Sequence, residues 1–199
     1  MPPVLQNIIN AILNSTPDKK DISLTTGNSG RILFLTIYYT QTQDETCHQK
    51  IEELLEENFA ILNREPVTAS FHNGLAGYGW LLQHLVKNHL LDQDDLINIL
   101  AQSDEVIMGE IHQKLNTLKD LTIFDMEFFQ TCHYLFQRLK KSGCIKPLLT
   151  EVVNRLESMT FAFLKDGHPT FQEPAIPEIT LFLSKCICTD IQKRKAKNS

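Results

Sequence analysis

The residues of this chain best suited to chemistry are thiols beside imidazoles: Cys47-His48, Cys132-His133, and the close pair Cys186 and Cys188. Thiolate and neutral imidazole are ligands that zinc favours, and zinc in turn keeps a thiol ionised near neutral pH. Spacing argues against a site built from any one of these groups. Neighbouring residues on a helix point about 100° apart, and Cys186-Ile187-Cys188 does not have the spacing of a structural zinc knuckle. No metal or other cofactor is therefore expected in this chain. Among the carboxylates, Asp125 and Glu178 fall at the starts of predicted helices, where a paired-carboxylate hydrolase would place its acid and base. The helix dipole favours acids there in any protein.

A third group of residues carries no functional side chain. Five of the eight glycines fall in two short segments, Gly27-Asn28-Ser29-Gly30 and Gly74-Leu75-Ala76-Gly77-Tyr78-Gly79. Glycine in the first turn of a helix lets another backbone approach closely, and it leaves amides able to face an anion or substrate at the positive helix end. A nucleotide-phosphate loop does not fit, because neither segment is followed by Lys-Ser or Lys-Thr and neither follows a strand. Gly27, Gly30, Gly74, Gly77 and Gly79 thus read as packing positions of helices set around a common axis.

The elements that must carry these groups recur along the chain. Each glycine segment opens a predicted helix with three consecutive large apolar residues, Leu33-Phe34-Leu35 and Trp80-Leu81-Leu82; two further helices carry Tyr134-Leu135-Phe136 and Leu181-Phe182-Leu183. The triplets start 47, 54 and 47 residues apart, a period that marks a repeat architecture in which units stack to bury their apolar faces. Amphipathic stretches lie between them. Their apolar residues recur at helical spacing, as in Ile51, Leu54, Leu55 and Leu62, or Leu96, Leu100, Ile107, Ile111, Leu115 and Leu118, or Leu148, Leu149, Val152, Leu156 and Met159. The triplet helices, apolar on more sides, form an inner layer and the amphipathic ones an outer layer. An opening helix covers residues 3–15, with loops around Pro17 and Pro66. No segment alternates as a strand, so the fold class is all-α.

Composition bounds the rest. The chain is 42% hydrophobic and 22% charged with a formal net charge of -5, ordinary for a globular protein and unsuited to neutralising nucleic-acid phosphates. No stretch reaches the roughly 20 apolar residues of a membrane span, and the start lacks the pattern of a secretory signal. Five cysteines, an odd number, form no disulfide framework. A cytoplasmic location is expected. Residues 1–190 read as a single domain and 191–199 as a basic, solvated tail.

The segment Ser70-Phe71-His72-Asn73-Gly74-Leu75-Ala76-Gly77-Tyr78-Gly79-Trp80 resembles the glycine-rich inner-helix motif of the lanthionine synthetase C-like family, the lantibiotic cyclases. Residues Asp21 to Gly30 look like the preceding copy, and Ile176-Pro177 is a weaker third match. The resemblance implies an α/α toroid of seven inner and seven outer helices, of which this chain would supply about four repeats, the N-terminal half of the ring. It also implies relation to peptide modification: in complete members zinc, held by two cysteines and a histidine in later repeats, activates a precursor thiol for thioether ring closure. The Cys-His-Gly ligand motif does not occur here. Pro174 stands where the family has a histidine, His168 lies six residues earlier, and Asp125 falls within one residue of a family aspartate. Asp125 is therefore the one candidate catalytic residue, set against a plain role as N-cap of the third inner helix.

On this reading the chain is a truncated cyclase relative without the zinc site, and more a scaffold than an enzyme. The alternative is a noncatalytic helical-repeat module that binds a peptide or protein. Four inner helices do not close a seven-membered ring, so a concave face with Phe34, Tyr78 and Trp80 would be exposed, and self-association to cover it is expected. A toroidal hydrolase built on Asp125 and Glu178 is the remaining, weaker reading.

Overall fold

The computed structural model describes residues 2–117, 126–139, 147–148 and 150–155. Six helices are bounded there: α1 (Pro3–Leu13), α2 (Asn28–Thr42), α3 (Glu45–Arg64), α4 (Leu75–Lys87), α5 (Gln93–Thr117) and α6 (Met126–Leu139). No strand occurs among the described residues, and none of their helices is long and apolar enough to cross a membrane. The chain divides into two compact units, one ending at Ile107 and the other beginning at Met108.

In the first unit, local chemistry sets each helix end. Pro3 opens α1, where a missing N–H costs nothing. Asp44 caps α3 by accepting the Thr46 N–H at 3.0 Å, with Glu45 in the first turn facing the helix dipole. The α2 helix ends on Gln43 in the left-handed conformation, φ 56°, whose N–H reaches the Tyr39 carbonyl. Each glycine segment, at Gly27 and Gly74, supplies the residue just before a helix, α2 and α4 respectively.

The core of this unit is built between α2, α3 and α4. From α2 it takes Ile32 and Leu35, from α3 Ile51, Leu54 and Ile61, and from α4 Leu81, Leu82 and Leu85. The amphipathic spacing read in α3 is realised, since Ile51, Leu54 and Leu55 are buried while Glu52, Glu53 and Glu56 face water. Polar ties cross the same layers. Asn58 of α3 donates to Ser29 Oγ at 3.3 Å, the Ser29 hydroxyl donates to the Ile22 carbonyl, and the buried Lys50 ammonium donates to the Ser15 carbonyl and pairs with Glu53 at 2.8 Å. Tyr78 departs from the expectation of an exposed aromatic face: it is 1% exposed, with its ring edge-on to Phe59 at 6.1 Å. An aromatic of α3 already covers it, which a helical pattern alone does not reveal.

In the second unit, the apolar row of α5 continues through Ile111 and Leu115, and α6 buries Phe128, Phe129 and the whole triplet Tyr134-Leu135-Phe136. Helical residues 147–148 and 150–155 bury Leu148 and Val152, and Glu151 pairs with His112 of α5 at 3.1 Å. The fourth triplet at Leu181 and the basic tail lie outside the described residues.

Candidate functional site

The two glycine loops are copies at atomic detail. A Cβ at Gly27 would clash with the carbonyl oxygen of Asp21, and one at Gly74 with that of Thr68, in each case six residues back. The same offset recurs at Gly30, where a Cβ would lie 2.6 Å from the Leu24 carbonyl oxygen, and at Gly77, where it would clash with that of Phe71. Hydrogen bonds repeat with the same register. Asn28 N–H reaches the Asp21 carbonyl at 3.0 Å and Leu75 N–H the Thr68 carbonyl at 2.8 Å; Thr26 N–H reaches Ser23 Oγ at 3.2 Å and Asn73 N–H Ser70 Oγ at 3.0 Å. Each loop therefore folds back over the first turn of its own helix, and only glycine admits so close a crossing.

The loops also hold each other. Leu24 N–H donates to the His72 carbonyl at 2.9 Å, Thr25 Oγ1 donates to Asn73 Oδ1 at 3.0 Å, and a Cβ at Gly77 would sit 3.4 Å from Leu24 Cβ. The two loops of the first unit are thus joined by a backbone hydrogen bond, a side-chain hydrogen bond and an aliphatic contact.

Within the first loop a network of short polar side chains sets the shape. Asp21 accepts Ser23 N–H at 2.8 Å and Thr26 Oγ1–H at 3.1 Å, and Ser23 Oγ accepts Gly27 N–H at 2.8 Å. Asn28 ties back to the Asp18 backbone from both ends of its amide, at 2.9 and 2.7 Å. Burial pushes the Asp21 carboxyl pKa up, but hydrogen bonds from Ser23 and Thr26 and the nearby Arg31 charge outweigh it, leaving the group below its ordinary value. Asp21, Ser23, Leu24 and Asn28 stand in the sequence reading only as members of the segment Asp21 to Gly30, without roles of their own; a run of Asp, Ser and Thr before a glycine is the signal that marks such turns.

Beside this loop lies an open groove of about 380 Å³, lined among others by Ile12, Thr25, Gly30, Arg31, Phe34 and Ile37. One repeat further on, Trp80 is 38% exposed, stacked on His84 at 5.6 Å and edge-on to Phe71 at 6.2 Å. Burial, then the Lys87 charge, hold the His84 pKa below its ordinary value.

The sulfur and imidazole groups are not brought together by these elements. Cys47 is fully buried in α3, and burial, then the Asp44 charge, raise its pKa and keep it a thiol, with a smaller opposing effect from Thr46. His48 turns away, its ring 5.2 Å from Tyr39 and 3.9 Å from Glu52. Cys132 is buried in α6 while His133 is half-buried. Among the described residues no three His, Cys, Asp or Glu side chains are grouped to hold a metal ion. Asp125, His168, Pro174, Glu178, Cys186 and Cys188 lie outside the described residues.

No curated protein and no solved structure matches the chain. A family model does, that of the lanthionine synthetase C-like proteins, over residues 18–142, which begins at the Asp18 of the first glycine loop and runs through both loops and on past α6. With well over half its length matched, the chain belongs to the lanthionine synthetase C-like family.

Proposed function

We propose that this chain is a peptide-recognition scaffold related to the thioether-forming cyclases of lantibiotic-type precursors, without a zinc centre of its own. The observation that carries this reading is the pair of glycine loops stacked in one register 47 residues apart, which present an open groove and an exposed tryptophan on neighbouring repeats. That stack is the start of an α/α toroid of about four repeats, the architecture the family implies. Zinc does not fit the donors the described residues offer. Cys47 is wholly buried in α3 and the described residues group no three His, Cys, Asp or Glu side chains about it or elsewhere, and Cys132 and His133 are neighbours on one helix that point apart. A ring-closing step is accordingly not assigned to this chain.

The test uses a dehydrated precursor peptide bearing free thiols, incubated with the purified chain with and without added zinc. Thiol alkylation followed by mass spectrometry counts unclosed thiols, and fluorescence of Trp80, the single tryptophan, follows binding. Saturable binding with thiols surviving as in the protein-free control is expected. Zinc-dependent loss of thiols far above that control would overturn the reading.

A further inference from the structure

The first unit contains the same structural position twice, once covered and once bare. In the second repeat Gly77, Tyr78 and Leu81 are buried, the last at 0% exposure. Their counterparts 47 residues earlier, Gly30, Arg31 and Phe34, are only half-buried, and Ile37, the counterpart of His84, is 51% exposed. What covers the second copy is partly the loop of the first: Leu24 lies against Gly77, its N–H bonds to the His72 carbonyl, and Thr25 bonds to Asn73. The bare copy is the groove beside α2, where Gly30 and Phe34 occupy the places of Gly77 and Leu81, and the exposed Thr25 occupies that of His72.

We infer that this groove binds an extended peptide segment with an aliphatic side chain, held as the second repeat holds Leu24. The side chain rests on Gly30 and Phe34, with Ile37 closing over it, and the peptide N–H of that residue donates to the Thr25 carbonyl. The inference rests on the scaffold reading above and names the chemistry of its ligand. The occupant of the covered copy favours a peptide over a second copy of the chain, because Leu24 is held there as part of a short non-helical segment, by its aliphatic contact with Gly77 and one backbone hydrogen bond. About 380 Å³ falls in the range of ligand sites, roughly 300–1,000 Å³. Charge favours an uncharged segment, because Arg31 is the groove's one ionic lining residue, donates to the Thr16 carbonyl at 2.9 Å and faces the Asp21 carboxylate.

The probe is the end-blocked, uncharged peptide of residues 22–26, which carries Leu24, the occupant of the covered copy, titrated to millimolar concentration into the isotopically labelled full chain and followed by amide chemical shifts. The expected result is a saturable shift of the Thr25, Gly30 and Ile37 amides. It weakens by about tenfold or more in an Ile37→Glu chain and in a peptide carrying L24D. Ile37 is half-exposed, so that variant keeps the fold. Shifts around Trp80 that ignore Ile37→Glu would overturn the groove assignment and leave the scaffold reading standing. No shift anywhere, with this peptide or with the precursor peptide, would overturn both. A concentration-dependent dimer that Ile37→Glu dissolves would assign the groove to a second copy and overturn the peptide proposal.

Discussion

A single added carbon at position 77 would meet the Phe71 carbonyl, which is anchored in a loop pinned by hydrogen bonds and has nowhere to yield. Gly77→Ala is therefore expected to cost about 2–4 kcal/mol, the range of overpacking combined with a displaced backbone. Gly109, in the middle of α5 with nothing within 4 Å of a Cβ, is the internal control. There Gly→Ala is expected to stabilise by about 0.5–1 kcal/mol through helix propensity alone, and urea denaturation of the two variants reads the contrast. Asp21 makes a second prediction at this scale. Its folded pKa lies below the unfolded value of about 3.9, so the unfolded state binds protons first. Its contribution is present above that value and is lost as pH falls through the folded pKa. Asp21→Asn is expected to cost about 1–2 kcal/mol at neutral pH and to make stability less steep with pH below about 4. An unchanged acid limb in a denaturation series would contradict the role given to this carboxylate. At Gly27, Gly30, Gly74 and Gly77 the approaching backbone belongs to the loop before the same helix, a partner that the expectation of packing around a common axis did not name. The partners of Asp21 and Asn28 were not legible either, since short polar side chains accept from whichever backbone the fold brings within reach.

At the scale of elements, helix existence followed from periodicity. The Ile51, Leu54, Leu55 row and the Leu96, Leu100, Ile107, Ile111, Leu115 row bury as their spacing demands, because a solvated face and a packed face leave opposite compositions. Neighbour identity was less legible. That Phe59 of α3 covers Tyr78, while Trp80 two residues on stays open, depends on how α3 and α4 cross rather than on either pattern. Asp125, which directly precedes α6 in the sequence, belongs to this scale if it acts as a cap. Asp125→Ala is then expected to lower stability by about 1 kcal/mol while peptide binding stays unchanged. A variant of undiminished stability that no longer bound or processed peptide would return Asp125 to the catalytic role.

For the whole molecule, the recurrence of one loop geometry at a 47-residue interval explains both what holds the first unit together and what it leaves open. Stacked repeats share a single interface design, and in this unit the groove beside α2 has the residues that receive a neighbouring loop in the second repeat. The period, and through it the family, could be read in the sequence because stacking repeats the same small residues at the same places. Which face stays bare could not, because burial at Gly77 and exposure at Gly30 differ only through what lies beside them. The proposed function makes this family member a peptide scaffold without a metal centre. Zinc content after loading with excess zinc and exhaustive dialysis tests it most directly. Far less than one zinc per chain is predicted, and one tightly held zinc per chain would contradict it.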